Sequence, residues 1–550
     1  MRRFSLSVLF LGWAISGFAQ GVSETDKLAS LCRIWGMLKY FHPAVAQGKM
    51  DWDAVFISEV DSLAHIITKD ALNTHYYRWV SSLGDINAYL AVPAGFDTTC
   101  NFNHSLEWID RSGLYSPQLA ALLRNVVIHR CTDHNRFVHP QTKFVAAAEF
   151  TNENDYPDLV FPPKDYRMLT LARYWNMIEY FYPYKYLTDK PWDAVLTEFI
   201  PALLDAQDTV AYVRALSRLV ASENDSHSNL PIPPGLRTGV YYLPVVFKVF
   251  ADKAIVTEIV NDSLAKKDDL QTGDIIFSFN DTCVADVIRY KSPYIGASNE
   301  AVIRRNLRYM ISAGKSSSVN VRIDRAGVVN TRTMVRYPPG MIGSNKHVEM
   351  EGSSYKNLSG YIGYVDMGRL KKAEIKPMFN SFSGAKAVIF DMRNYPNFIV
   401  YDLCNYLAPE TIPFVQFLAP DYSFPGKFVR DERSEYGHKQ EAPFKGKLII
   451  LVNEITQSRA EFTTMALRAL PNAVIIGSQT AGADGNAVDV VLPGGYKFII
   501  SGLGVYYPDG RETQRIGIKP DVYVEPTVEG IRQGKDEVLE RALTYLSTGK

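Results

Sequence analysis

The run "KLIILVNEITQSRAEF" (447–462) puts a serine, Ser458, where a buried-looking strand gives way to a helical stretch. The first residues of a helix carry free backbone N–H groups and the positive end of the helix dipole. A hydroxyl at that junction has two readings. It caps the helix, the commonest reason for serine ahead of a periodic apolar run, or it is a nucleophile whose oxyanion the same N–H groups stabilise. A serine hydroxyl hardly ionises at neutral pH, so the second reading needs a neighbouring base, and a histidine near its free pKa suits it. The segment "NDSHSNL" (224–230) offers His227, with Ser226 beside it.

The elements that would carry His227 are duplicated. "CRIWGMLKYFHP" (32–43) parallels "ARYWNMIEYFYP" (172–183), and the 140-residue offset between Trp35 and Trp175 also carries "DWDAV" (51–55) onto "PWDAV" (191–195). Each copy has aromatic and apolar residues at helical spacing ended by proline, a pattern of core packing rather than of a ligand site. The offset then lays "GDINAYL" (84–90) on "NDSHSNL": Asp85 matches Asp225, while Ile86 and Asn87 stand where Ser226 and His227 do. A lone histidine is usually structural. A copy that keeps the scaffold without the Ser-His pair points instead to a function for His227.

The bulk numbers bound the function class. A chain of 550 residues exceeds one core and implies roughly three or four domains. Lysine plus arginine equals aspartate plus glutamate at 59 each, so no basic surplus exists to hold a nucleic-acid backbone. The N-terminus "MRRFSLSVLFLGWAISGFAQ" has two arginines, a short apolar stretch and small residues at Gly17 and Ala19, the pattern of a secretory signal cut near Ala19. An exported, periplasmic or extracellular protein without a membrane span is expected. Five cysteines are too few for a disulfide scaffold, although export permits a bridge between Cys100 and Cys131. These two lie among His104, His129, His134 and His139, but no tight C-x-x-C pair is present, so neither metal nor cofactor is predicted.

From about 238 the texture turns to short strands, "YYLPVVFKVF", "KAIVTEIV" and "LQTGDIIFSFND". The pattern resembles a PDZ domain over 238–337, and PDZ domains bind extended peptides by strand addition, often capturing a terminal carboxylate. The plainer reading is a small β-module packed only against its neighbours. After Gly340, strands alternate with helices, the signature of an α/β layered domain.

In order and spacing, "DMRNYPN" (391–397), "LVNEITQSRAEF", "IIGSQTAGADG" and "IGIKPDV" resemble the serine peptidases that include the tail-specific C-terminal processing proteases and the tricorn core. The resemblance implies a crotonase-like catalytic core with Ser458 as nucleophile. It implies backbone N–H groups of Asn397 and Arg459 as oxyanion donors, since Pro396 has no N–H to offer. Tail-specific members carry a lysine base where this chain has Ala483. The tricorn-like branch uses a Ser-His pair from its helical domain, which falls on Ser226 and His227. Its orienting glutamate falls on Gln514, with Glu512 nearby.

The expected protein is multidomain α+β. It has a signal peptide (1–19), a helical region with a degenerate repeat copy (20–160), a helical domain carrying His227 (161–237), a PDZ-like module (238–337) and an α/β catalytic domain (338–550). It would hydrolyse peptide or unfolded protein substrates, with Ser226 or Gln514 fixing the base. The alternative is a non-catalytic peptide-binding or scaffold protein on the same parts, with Ser458 only a cap.

Overall fold

The computed structural model describes residues 21–91, 103, 105–141, 146–230, 240–343, 352–431, 433–439 and 444–549. The signal-peptide segment, Cys100 and His104 lie outside them. Among the described residues Cys32, Cys131, Cys283 and Cys404 are free thiols. Among the same residues, no group of three His, Cys, Asp or Glu side chains could hold a metal ion, and no helix is long and apolar enough to cross a membrane.

The duplicated sequence folds into duplicated helices. Helices α1 (Glu24–Phe41) and α2 (Trp52–Ala64) have counterparts in α3 (Lys164–Phe181) and α4 (Trp192–Leu204). In each copy two indoles exchange hydrogen bonds with each other's carbonyls. Trp35 Nε1 donates to Trp52 O (2.9 Å) and Trp52 Nε1 to Trp35 O (3.2 Å). Trp175 and Trp192 repeat the exchange at 2.9 and 3.0 Å. Lys27 satisfies the carbonyls of Leu63 and Ile66, and Arg167, 140 residues on, those of Leu203 and Ala206. Cations belong at helix C-termini, where carbonyls lack intrahelical donors.

The copies pack about a pseudo-twofold axis. Tyr40 meets Phe181 and Phe41 meets Tyr180, at ring separations of 4.9 and 5.6 Å, the reciprocal pattern of an isologous interface. At the crossing one copy must be small. A Cβ on Gly36 would lie 1.9 Å from Asn176 Cγ, its own counterpart in the other copy.

A five-stranded antiparallel path follows, β1 (Val245–Val249), β2 (Ala254–Ile259), β3 (Ile275–Phe279), β4 (Ser318–Arg325) and β5 (Val328–Val335), in that order. Helices α6 (Val284–Lys291) and α7 (Glu300–Met310) lie between β3 and β4 in the chain. The last large unit is a six-stranded sheet. Its outer strand β6 (Tyr355–Leu358) runs antiparallel to β7 (Ile362–Asp366). Beyond β7, strands β8 (Ala387–Asp391), β9 (Lys447–Val452), β10 (Ala473–Gly477) and β13 (Val522–Tyr523) are parallel. β8 is buried throughout and β9 in all but its first residue, as expected of parallel strands covered on both faces. Helix α8 (Arg459–Arg468) follows β9.

One connection went unread in the sequence. The hairpin of β11 (Ala487–Leu492) and β12 (Tyr496–Ser501) leaves the large unit, and its Val488, Val490, Phe498 and Ile500 join the helical core around Trp175. The helical unit and this hairpin thereby share one apolar core.

Candidate active site

Ser458 sits at the N-cap of α8 with φ +57° and ψ −124°. A non-glycine residue with such angles is strained and persists only where its surroundings hold it. They do so on both sides. Its N–H donates to Ala483 O (2.8 Å), and its carbonyl accepts from Phe462 N (2.9 Å). The side chain makes no capping hydrogen bond, so the hydroxyl is left for other work.

Glu461, fully buried, holds the partner loop. It accepts from Thr480 Oγ1 (2.5 Å), Gly482 N (2.8 Å) and Ala483 N (3.0 Å). Burial pushes its carboxyl pKa up, and these donors pull the other way. Ala483 is itself buried, with its N–H on Glu461 and its carbonyl on Ser458. Glu461→Ala leaves two buried N–H groups unpaired, at about 1–3 kcal/mol each. A lowered denaturation midpoint, together with slower reaction of Ser458 toward a serine-directed phosphonate, is the expected outcome.

His227 occupies a loop that follows α5 (Thr209–Ala221). Its backbone N–H donates to Asp225 Oδ1 (2.8 Å), as Asn87 N donates to Asp85 Oδ1 (3.0 Å) in the other copy. The turn closed by this aspartate is thus common to both copies, and within it Ser226 and His227 replace Ile86 and Asn87. The ring's Nδ1 lies 2.8 Å from Ser501 Oγ and 3.6 Å from Asp225 Oδ1. Its Nε2 is buried with no hydrogen-bond partner, so the Ser458 hydroxyl does not bond to it in this structure. Burial lowers the imidazole pKa, the Asp225 carboxylate raises it, and Arg305 lowers it, for a net downward shift.

The Ser458 turn and the His227 loop are joined by their neighbours. Gln457 Nε2 donates to Ser226 O (3.1 Å), and Ser226 Oγ donates to Ala481 O (3.0 Å). Arg305 of α7 donates to Gln457 Oε1 (2.7 Å) and Glu454 O (3.0 Å). Ser226 and Ser298 exchange N–H to hydroxyl bonds, both at 2.9 Å. The contact is close enough that a Cβ on Gly296 would lie 1.8 Å from Ser228 O.

The remaining expected residues are distributed unevenly. Neither Ser226 nor Gln514 bonds the ring; the hydrogen bond assigned to them in the sequence comes from Ser501. Gln514 is buried with both amide atoms unpartnered. Glu512 accepts from the Tyr186 hydroxyl and bridges to Tyr506, so it does not orient His227. Asn397 is anchored by its side chain to Leu370 O (2.9 Å). Arg459, first residue of α8, donates to Pro396 O (3.4 Å) and lies over the Tyr395 and Phe398 rings at 5.1 and 5.7 Å. The 395–398 loop is thereby drawn onto the helix start, where the Arg459 N–H lacks an intrahelical acceptor.

Ser501 carried no sequence signal, since it is 274 residues from His227 and lies in the hairpin that invades the helical core. Asp225 was visible but shared with the other copy, and so read as scaffold.

No curated protein matches the sequence. Among solved structures, mature CPAF complexed with lactacystin aligns at 15% identity over 70% of this chain and 99% of that chain, with a TM-score of 0.55. Mature CPAF aligns at 16% identity over 71% and 99%, with a TM-score of 0.54. At such identity the likeness is one of fold. Residues 413–524, which contain Ser458, Glu461, Ala483 and Gln514, match the model of peptidase family S41. The stretch around Ser458 is therefore similar to peptidase family S41, a likeness that supports a serine peptidase.

Proposed function

We propose that the protein is an exported endopeptidase or carboxyl-end-directed peptidase in which Ser458 is the nucleophile and His227 the general base. The observation that carries the reading is the pairing of two unspent groups: a strained serine whose hydroxyl caps nothing, and a buried imidazole whose Nε2 has no partner. Gln457 and Ser226 join the segments that hold them. In the tautomer that leaves Nε2 free to accept, Nδ1–H donates to Ser501, and the Asp225 carboxylate stabilises the imidazolium that forms.

In the reaction, His227 Nε2 takes the Ser458 proton as Oγ attacks the peptide carbonyl, then returns it to the leaving amine. The N–H groups of Arg459 and Asn397 stabilise the tetrahedral oxyanion. Water then hydrolyses the acyl-enzyme with the same base. Catalytic hydrogen bonds often tighten only once substrate is bound, and closure of the His227 loop onto Ser458 belongs to that step. A base from the helical unit and Ala483 in place of a lysine agree with the tricorn-like branch. The five-stranded module acts as a PDZ-like holder of extended peptides, and the large unit is crotonase-like.

The second reading, a peptide-binding scaffold, draws on the unbonded Nε2 and on Gln514 where the family has a carboxylate. A small serine-directed phosphonate separates the two. Covalent labelling at Ser458, seen as a mass shift on its tryptic peptide and lost in His227→Ala, is the expected result. An unlabelled wild-type chain would mean a scaffold.

A further inference from the structure

A second cavity lies away from Ser458, between α5 of the helical unit and the side of the five-stranded module that carries α6. It is about 1060 Å³, and Arg218, Arg289, Lys291, Lys315 and Arg336 all line it. Two of these cations are already neutralised, Arg218 by Glu198 (3.1 Å) and Arg289 by Asp286 (2.7 Å). Lys291 spends its ammonium on the Met310 carbonyl, and burial beside Arg336 pushes its pKa down to about 8.

Arg336 is the anomaly. It is 6% exposed, its Nε has no hydrogen-bond partner, and among the described residues no carboxylate pairs with it. A buried cation without a partner is costly, yet the fold makes room for this one. Gly314 lies so close that a Cβ there would be 2.2 Å from the guanidinium. A guanidinium with a free Nε–H offers the planar fork that pairs with a carboxylate.

We infer that this cavity is an exosite that binds an acidic stretch of a polypeptide, with Arg336 pairing one of its carboxylates. The volume is at the upper end for a ligand pocket and far exceeds one small anion. Tyr290, 65% exposed, and Tyr294, 6.4 Å from it ring to ring, give the lining aromatic faces suited to a peptide. The wall beyond Tyr294 runs into Gly296 and Ser298, which pack on the His227 loop, so a chain held here lies along the module that abuts the active site. The choice of polypeptide rests on the peptidase reading.

The test uses full-length Ser458→Ala protein and fluorescence anisotropy with a labelled Glu-rich peptide, its Gln-for-Glu analogue, and inorganic phosphate as competitor. The Glu peptide is expected to bind at least ten times more tightly than the analogue, with a steep salt dependence. Arg336→Gln should erase that preference, and Lys315→Gln should reduce it. Equal affinity for the two peptides, or an unchanged preference in Arg336→Gln, overturns the assignment. So does phosphate binding that depends on Arg336 while the peptide is ignored. Thermal unfolding guards against a structural role: Arg336→Met, which removes an unpaired charge, should match or exceed wild type in Tm, and a drop of several degrees overturns the site. Phosphonate labelling tests the chemistry alone, so a chain that labels but ignores the acidic peptide loses only the exosite, and one that binds without labelling loses only the peptidase reading.

Discussion

Ser458→Ala is expected to abolish hydrolysis of an unfolded protein substrate while leaving stability within about 0.5 kcal/mol of wild type. The two halves rest on different observations. Hydrolysis stops because the first turn of α8, Arg459 to Phe462, carries no hydroxyl to replace it where the free N–H groups are. Stability holds because the hydroxyl makes no capping bond, so the loss of about 1 kcal/mol that usually follows removal of a serine cap has no source here. Ser458→Gly sharpens the point. Glycine tolerates a φ of +57°, so that variant should be inactive and more stable than wild type, by on the order of 1 kcal/mol. Chemical denaturation measures the stabilities, and release of peptides from a denatured substrate measures activity. Full activity in pure Ser458→Ala removes the mechanism. A cap-sized loss of stability would show that the serine serves the helix after all.

Why were some of these residues legible in the sequence and others not? Ser458 was legible because its signal is local, an apolar strand breaking into a helix. His227 emerged from an accident of ancestry, a second copy with Asn87 in its place. The matching indole exchanges of Trp35 with Trp52 and Trp175 with Trp192 have the same origin. The comparison also misled, because Asp85 and Asp225 bond the same loop N–H in both copies, and a shared residue looks like scaffold. The role of Glu461 depends on the loop at 480–483, Arg305 reaches Gln457 from helix α7, and Ser501 arrives on a hairpin. Contacts made by long-range packing leave no periodicity or spacing to read.

The base is the most exposed part of the mechanism, and His227→Ala should lower turnover by about two to four orders of magnitude. Residual activity would come from the oxyanion donors. The pH profile distinguishes a base from a strut. A histidine base works only when neutral, and burial with Arg305 outweighs Asp225 to hold this ring's pKa below the usual value of about 6.5. The acidic limb of the rate should therefore lie below the ordinary histidine range, whereas a lysine base would usually put it higher. Stability follows the same sign. The unfolded chain takes up the proton first, so the contribution of the neutral ring is present above about pH 6.5 and is lost as pH falls through the lower folded value. His227→Ala should flatten that acid sensitivity as well as slow the enzyme. Asn87→Ala, at the matching place in the other copy, should leave rate and profile nearly unchanged. Ala483→Lys should not rescue His227→Ala, because that position is fully buried and its backbone is committed to Glu461 and Ser458. A lysine forced in there would strain the turn that holds the nucleophile. If His227→Ala keeps both its rate and its acidic limb, the ring is structural and the proton from Ser458 goes elsewhere.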